Sequence, residues 1–481
     1  MKSKSIFTMF MQCVLFVLGD KWDQYNDPST WNPSFRYELD KLPMSGKSGK
    51  IPWSDTYWPS YRGGIANRWQ DEKNSYPGFD YKLYTLEELK NGSVDLNVLS
   101  PAEKFDIFNS RYDYPLLNSE WHRCNPNDAR WEGICHGWAP AAIHYEEPKN
   151  VTMKNKEGLE ISFGSSDVKA LLSYFLAQFA SDHEKTQFIA ERCNTDISST
   201  PQKADSSECR DINPGTFHVM LTNIIGFMGT AFVGDVERSS EVWNQPITKY
   251  EYILGNTSSP TNTSAPGTVK QQSVSLTMYY VKETRPLPTA HEPQIVDKNY
   301  NYLLDLDADG SILGGSYDES QWERVDFMWA QEEPAFFGYF EQLDKIYKAS
   351  IGGNERRRLI SHRPRVSLND YHATTVTTGG ISLSSYNAST RRSWLVPVDA
   401  NNSVRLRFRS FNTRRFTDYV RVFEVENGHI GAPIAVLHGS SLPKDIVLRP
   451  GVSVLVTFSV DQKAAHRMSL AKGTGFELFV L

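Results

Sequence analysis

Cys135 is the residue whose surroundings point most directly to chemistry. It sits in Trp131-Glu132-Gly133-Ile134-Cys135-His136-Gly137-Trp138-Ala139-Pro140-Ala141-Ala142. Gly133 and Gly137 allow tight backbone on either side of it. A helix is expected to open near Cys135 and run through Ala142, Ile143 and Tyr145, with Pro140 in its first turn. A thiol at a helix N-terminus feels the positive end of the dipole, which favours the thiolate and makes a nucleophile. The alternative is a buried, inert cysteine. A nucleophilic thiol needs a proton acceptor, itself held by a third group. His218, in Pro214-Gly215-Thr216-Phe217-His218, is expected to open an apolar strand over 216–227. A second strand over 229–236 carries Asp235 near its end. Two consecutive antiparallel strands would set Asp235 beside His218, giving Cys135 as nucleophile, His218 as base and Asp235 as orienter. His136 and His144 read as structural, because successive residues of a helix do not face one another.

The order Cys, His, Asp is that of papain-like folds, where a helix carries the Cys and a sheet the other two. Other elements must hold such a site. Thr85–Lys90 and Ser100–Asn109 read as short helices, each opening on a capping box, Thr85 with Glu88 and Ser100 with Glu103. The strongest helical period spans Ser166–Ala180, with Val168, Leu171, Leu172, Phe175 and Phe179 on one face. Val274–Val281 and Tyr302–Leu306 have strand character, residues 255–273 form a Ser/Thr/Pro/Gly-rich loop, and Glu341–Ser350 reads as a helix. Residues 353–366 are a basic linker with Arg356, Arg357, Arg358, Arg363 and Arg365. Beyond it the pattern is all-β, in short strands at 403–408, 419–425, 434–438, 445–448, 452–460 and 476–481, which argues for a sandwich.

The chain of 481 residues is long enough for two or three domains. A net charge of −6 does not supply the basic field that nucleic acid requires. Lys2 and Lys4 precede an apolar run over 6–18, followed by Gly19 and Asp20, the pattern of a secretory leader. No later window is long and apolar enough to span a bilayer. Sequons at Asn91, Asn150, Asn256, Asn262, Asn387 and Asn401 agree with export. Cys13 leaves with the leader. Four cysteines remain, which permit three pairings. Cys193 and Cys209 flank a Ser/Asp-rich stretch that they would clip as a disulfide, leaving Cys135 free. Cys124 has no account at this level. The resulting division is 1–19 leader, 20–75 irregular aromatic-rich segment, 76–352 catalytic domain, 353–366 linker and 367–481 sandwich.

Several motifs carry a family resemblance. Gly133-Ile134-Cys135-His136-Gly137-Trp138-Ala139-Pro140-Ala141, Ser165–Leu172, Asp211–His218 and Pro52–Ser60 resemble the secreted transglutaminase elicitor family of oomycetes. Val242-Trp243-Asn244-Gln245-Pro246 resembles the core of that family's elicitor peptide, and Ile247, Thr248 and Lys249 depart from it. The resemblance covers about residues 50–330. It implies an α+β, papain-like cysteine transferase core, with Cys135 as nucleophile and His218 as base. The activity implied is protein-glutamine γ-glutamyl transfer: the Cys135 thiolate attacks a Gln carboxamide, ammonia leaves, and a Lys amine resolves the thioester. Asp235 is the orienter taken here and Asn244 its alternative. Trp131 and Trp138 would wall a tunnel, unless they are simply core. Residues 418–423, 439–443, 454–461 and 473–476 resemble a CUB domain, an all-β sandwich that contacts surface proteins or glycans.

No cofactor is certain from the sequence, and calcium stays open at two places. Asp305, Asp307 and Asp309 imitate the start of a helix-loop-helix calcium loop, but Ser316 stands where a bidentate Glu belongs, and an Asp-Gly hairpin turn fits better. Asp418 and Asp461 match two carboxylates of the CUB calcium site, while residues 412–415 are basic where its Glu would be. With water as acceptor the same machinery is a deamidase, and with peptide bonds as substrate a protease. A third reading is a non-catalytic secreted binding protein that works through its sandwich.

Overall fold

The computed structural model describes residues 22, 25–71, 81–180, 186–190, 211–317, 323–353, 366–377, 379–386, 390–414, 418–460 and 474–481. The leader, Cys193, Cys209, Asp461 and most of the basic linker lie outside them.

A helical layer is built first. α1 (Leu86–Lys90) and α2 (Pro101–Phe108) open on the two capping boxes expected. In the second, Ser100 Oγ accepts from Glu103 N at 3.2 Å and the Glu103 carboxylate accepts from Ser100 N at 2.9 Å. α3 (Pro115–Arg123) follows, then α4 (Cys135–His144). Pro140 is the sixth residue of α4, not part of its first turn as expected. Its ring leaves the His136 carbonyl without the usual helical donor. α5 (Ser165–Tyr174) continues into a π-helical turn over Phe175–Phe179. α4 lies directly on it: a Cβ on Gly137 would come within 2.1 Å of the Ser173 carbonyl oxygen and 2.6 Å of Ala177 Cβ. α6 (Pro214–Met220) and a second π-helical segment, Leu221–Phe227, replace the strand expected over 216–227. The signal that decides it is local: Asn213 Oδ1 accepts from Gly215 N at 2.8 Å, and Pro214 stands at the first helical position. This N-cap outweighs the β-branched content that follows. α7 (Glu341–Ser350) is where the sequence placed it.

The main sheet contains β1 (Ser45–Lys47); β2 (Val151–Lys154) and β3 (Glu160–Phe163) form a separate hairpin. Its other strands are β4 (Thr186–Ile189), β5 (Phe232–Asp235), β6 (Asn244–Ser258), β7 (Lys270–Val281), β8 (Ile295–Leu306), β9 (Ile312–Tyr317) and β10 (Phe327–Gln331). Their order is β4-β10-β5-β6-β7-β8-β9, with β1 on β6, and every pairing is antiparallel. The core is both helical and sheet-rich, as expected. Asp307–Gly310 turns β8 into β9, with Gly310 at φ 80.

The C-terminal part is a two-sheet sandwich. Its strands are β11 (Thr374–Thr375), β12 (Gly380–Leu383), β13 (Arg391–Val396), β14 (Arg405–Asn412), β15 (Asp418–Glu426), β16 (His429–Leu437), β17 (Ile446–Val447), β18 (Ser453–Val460) and β19 (Gly475–Val480). One sheet runs β11-β13-β18-β15-β16 and the other β12-β19-β14-β17. Val422, Val454 and Leu478 fill the space between them. The outer face of the first sheet is not free. Phe423, Val425, Ile430 and Leu455 belong to the large core of the preceding domain, and the Phe423 ring meets Phe179 edge to face at 5.5 Å.

Candidate active site

Cys135 is the first residue of α4 and is buried. Two groups address its sulfur. Asn244 Nδ2 donates to Sγ at 3.3 Å, and the thiol faces the Val242 carbonyl at 3.6 Å. Asn244 is the first residue of β6 and is itself held, since its Oδ1 accepts from Trp329 Nε1 of β10 at 2.8 Å. Three elements therefore meet at the sulfur: a helix start, a strand start and the neighbouring end of the sheet. Backbone fixes the fourth side, where Ile134 N donates to Tyr57 O at 2.8 Å. A Cβ on Gly133 would stand 2.4 Å from that same oxygen, so only glycine fits.

Asp235, the last residue of β5, is the cross-strand partner of Asn244. Its carboxylate accepts from Trp243 N at 3.3 Å and from Glu237 N at 3.4 Å, which folds the 236–243 turn over the site. Burial dominates the thiol's titration and pushes Cys135 up to about 11; the Asn244 contact works the other way, and the Glu283 and Asp235 charges add to the rise. The helix start was expected to favour the thiolate. In this closed arrangement desolvation outweighs it, and the resting group is the neutral thiol.

His218 is elsewhere. It lies in α6, fully buried, with Nδ1 2.8 Å from the Tyr302 hydroxyl and its ring against Tyr252 at 4.5 Å. Its Nε2 has no hydrogen-bond partner. Burial lowers its pKa to about 3. Tyr252 is eight residues along β6 from Asn244, about 26 Å at the rise of an extended strand. The structure thus brings Cys135, Asn244 and Asp235 together and leaves His218 away from them, against the interior of β6 and β8. The cause is the misread element: as part of a helix lying on β8 and β9, residue 218 no longer precedes β5 as its hairpin partner. Asn244, taken above only as an alternative orienter, contacts the Cys135 sulfur itself. Trp329, Gln245 and Glu283 were missed. The Val242–Pro246 motif signalled the first of these indirectly, since it contains the Asn that Trp329 holds.

The remaining candidates also have places. His144 Nε2 lies 2.9 Å from the Gln331 carbonyl, as a structural histidine would. Trp138 is buried in the core, and Trp131 is half-buried. Cys124 is a buried free thiol beside Arg123 Nη2, at 3.3 Å. The Asp305 carboxylate accepts from Gln271 Nε2 at 2.8 Å and Ala265 N at 2.9 Å, and Asp307 accepts from Asp309 N and Ser311 N. These side chains brace a hairpin and do not converge as a calcium loop. Asp418 is neutralised internally, by Arg414 Nε at 2.7 Å and Nη2 at 2.8 Å, with the Tyr386 hydroxyl added. Asp461, the other carboxylate of that candidate calcium site, lies outside the described residues. Among the described residues, no cluster of three or more His, Cys, Asp or Glu could hold a metal ion, and no helix is long and apolar enough to cross a membrane.

Among solved structures, the chain is similar to the GP42 transglutaminase from Phytophthora sojae at 20% identity, over 68% of this chain and 96% of that one, with a TM-score of 0.49. It is also similar to the calcium-bound CUB2 domain of MASP-1, at 18% identity over 22% of this chain and 96% of that one, TM-score 0.18. The CUB1-EGF-CUB2 fragment of human MASP-1/3 aligns at 23% identity over 22% of this chain and 42% of that one, TM-score 0.18. No curated protein matches. A comparison with family sequence patterns matches residues 122–336 to the transglutaminase elicitor family. That span holds Cys135, Asn244, Asp235 and Trp329, and the family it matches is the one that the motifs resembled.

Proposed function

We propose that the chain is a secreted acyltransferase that forms a thioester from a protein glutamine and passes the acyl group to a primary amine, the lysine side chain of a second protein. The observation that carries this is the Cys135–Asn244–Trp329 arrangement. A nucleophilic sulfur at a helix start has an amide donor 3.3 Å away, fixed by an indole N–H at 2.8 Å. Attack of Cys135 Sγ on the carboxamide carbon forms a C–S bond and places negative charge on the former carbonyl oxygen. A preorganised donor beside the sulfur is what that oxygen needs. The C–N bond then breaks and ammonia leaves with the proton taken from the thiol. Attack by an amine forms the new C–N bond, breaks the C–S bond and returns a proton to the sulfur. Asp235, which faces Asn244 across β5 and β6, is the carboxylate we assign to carry that proton. His218 has no contact with the thiol from which to do so. The papain-like description of the core belongs to this same reading.

The Val242 carbonyl and the buried position of Cys135 limit water at the sulfur, which favours an amine acceptor over hydrolysis. The leader, the sequons and the family pattern support export. Incorporation of a labelled primary amine into a Gln-bearing protein, with and without calcium, tests the function. Activity in the wild type and its loss in a folded Cys135→Ala variant are expected. Chain cleavage or Gln-to-Glu conversion in place of incorporation would make the protein a protease or deamidase. A wild type without any of these activities would leave the sandwich as its working part.

A further inference from the structure

Glu283 follows β7 and lies beside the start of β6. Both of its carboxylate oxygens accept from Gln245 Nε2, at 2.9 Å each. Gln245 is next in sequence to Asn244, so this carboxylate and the thiol are served by consecutive residues of one strand. The pairing dictates the amide's orientation, because Oε1 facing a carboxylate would be repelled. Gln245 Oε1 is thereby turned away, and in a side chain only 5% exposed it has no hydrogen-bond donor. A buried carbonyl left without a donor is destabilising until a donor reaches it. Among the described residues no Lys or Arg forms an ion pair with Glu283, and Lys282 beside it in sequence is exposed. The carboxylate and the amide bonded to it thus carry acceptor oxygens with no Lys or Arg ion pair among the described residues. Tyr57 and Trp243 meet edge to face at 5.1 Å, both half-buried, and the Glu283 charge is felt at Tyr57. Burial raises Glu283 to about 6, helped by the Glu237 charge and opposed by Gln245 and Lys282. The same Glu283 charge is felt at Cys135.

We propose that Glu283 and Gln245 Oε1 form the subsite that receives a cationic primary amine as acyl acceptor, an assignment that rests on the acyl-transfer reading above. An ammonium brings three donors and a positive charge on a flexible apolar stem. One donor meets the carboxylate, to which the ammonium gives up a proton before its nitrogen lone pair attacks the thioester, a second meets the orphan oxygen, and the stem and charge suit the aromatic edge made by Tyr57 and Trp243. Peptide amides and alcohols match the shape but not the charge.

Calorimetric titration of the Cys135→Ser protein with n-pentylamine and with 1-pentanol tests this without turnover. The amine is expected to bind at least about tenfold more tightly than the alcohol, and Glu283→Gln in the same background to remove that difference, in line with the worth of a hydrogen bond to a charged group. Circular dichroism checks the fold of each variant. Should Glu283→Gln not fold, Glu283→Asp serves, with the preference for the amine weakened but retained. Equal affinity for the two ligands, no binding of the amine, or an affinity unchanged by Glu283→Gln would overturn the proposal. Labelled-amine incorporation reads the chemistry and this titration reads the subsite, so each can fail alone.

Discussion

At the scale of single residues, the contact between Asn244 and Cys135 has two consequences with different readouts. Asn244→Ala removes a donor aimed at the growing oxyanion and is expected to lower kcat for amine incorporation by about 10²–10³-fold. It also removes the one polar side chain that eases ionisation of the thiol, so alkylation of Cys135 at neutral pH should slow. A fully active Asn244→Ala protein would return that residue to a purely structural role. His218 makes a different prediction. Its folded pKa is depressed to about 3, while in the unfolded chain it titrates near 6.5. Only the unfolded state gains the proton between those values. The contribution is therefore fully present above pH 6.5 and is lost as the pH falls toward 3. Between pH 6.5 and 5 the loss is about 2 kcal/mol. Urea unfolding at pH 7 and pH 5 should show it, and His218→Gln should flatten the difference. An equal pH dependence in His218→Gln would mean that His218 is not the titrating group.

At the scale of elements, the register between α4 and α5 decides whether the thiol stands where Asn244 can reach it. Gly137→Ala would place a methyl 2.1 Å from the Ser173 carbonyl oxygen. Overpacking of this kind costs about 1–3 kcal/mol and must be relieved by shifting one helix. A lowered melting temperature together with weakened incorporation is expected, and unchanged values for both would show that the helices can slide without cost. The sequence made α1 and α2 legible through their capping boxes and α5 through its apolar period, while α7 was read without a side-chain cap and has none. It made Cys135 legible because two glycines isolate it at a helix start. It misled over residues 216–227, where β-branched and aromatic residues suggested a strand. Asn213 and Pro214 carried the opposing signal in a single pair of positions, and composition averaged over a window hides it. The partners of Cys135 were illegible for another reason. Asn244 and Trp329 lie 85 residues apart in the chain, on two strands that both pair with β5. No local pattern encodes that adjacency.

At the scale of the whole molecule, the arrangement differs from two beads on a basic linker. Sequence composition marks the start of the sandwich well, but composition says nothing about where its second face goes. That face is spent on the helical layer. Phe423 packs on Phe179, and Gly338 is pressed against the Ile430 carbonyl, where an added Cβ would stand 2.6 Å from the oxygen. Around this apolar patch Arg111 takes Glu424 through two nitrogens at 2.7 and 3.0 Å, while Arg449 bridges to Glu424 at 2.9 Å and to Asp113 at 3.5 Å. Phe179 ends the π-helical turn whose Ala177 lies against Gly137, so the sandwich backs the helix pair that positions Cys135. Domains joined by such a contact should unfold together, since exposing either face costs the other. Differential scanning calorimetry of the full chain is therefore expected to show one transition. Phe423→Ala, which removes a buried ring worth about 3–5 kcal/mol, should split it into two, with the sandwich and the catalytic core melting apart. Two transitions already present in the wild type would mean that the contact is too weak to couple the domains, and a single transition kept by Phe423→Ala would assign the coupling to the Arg111–Glu424 ion pairs instead.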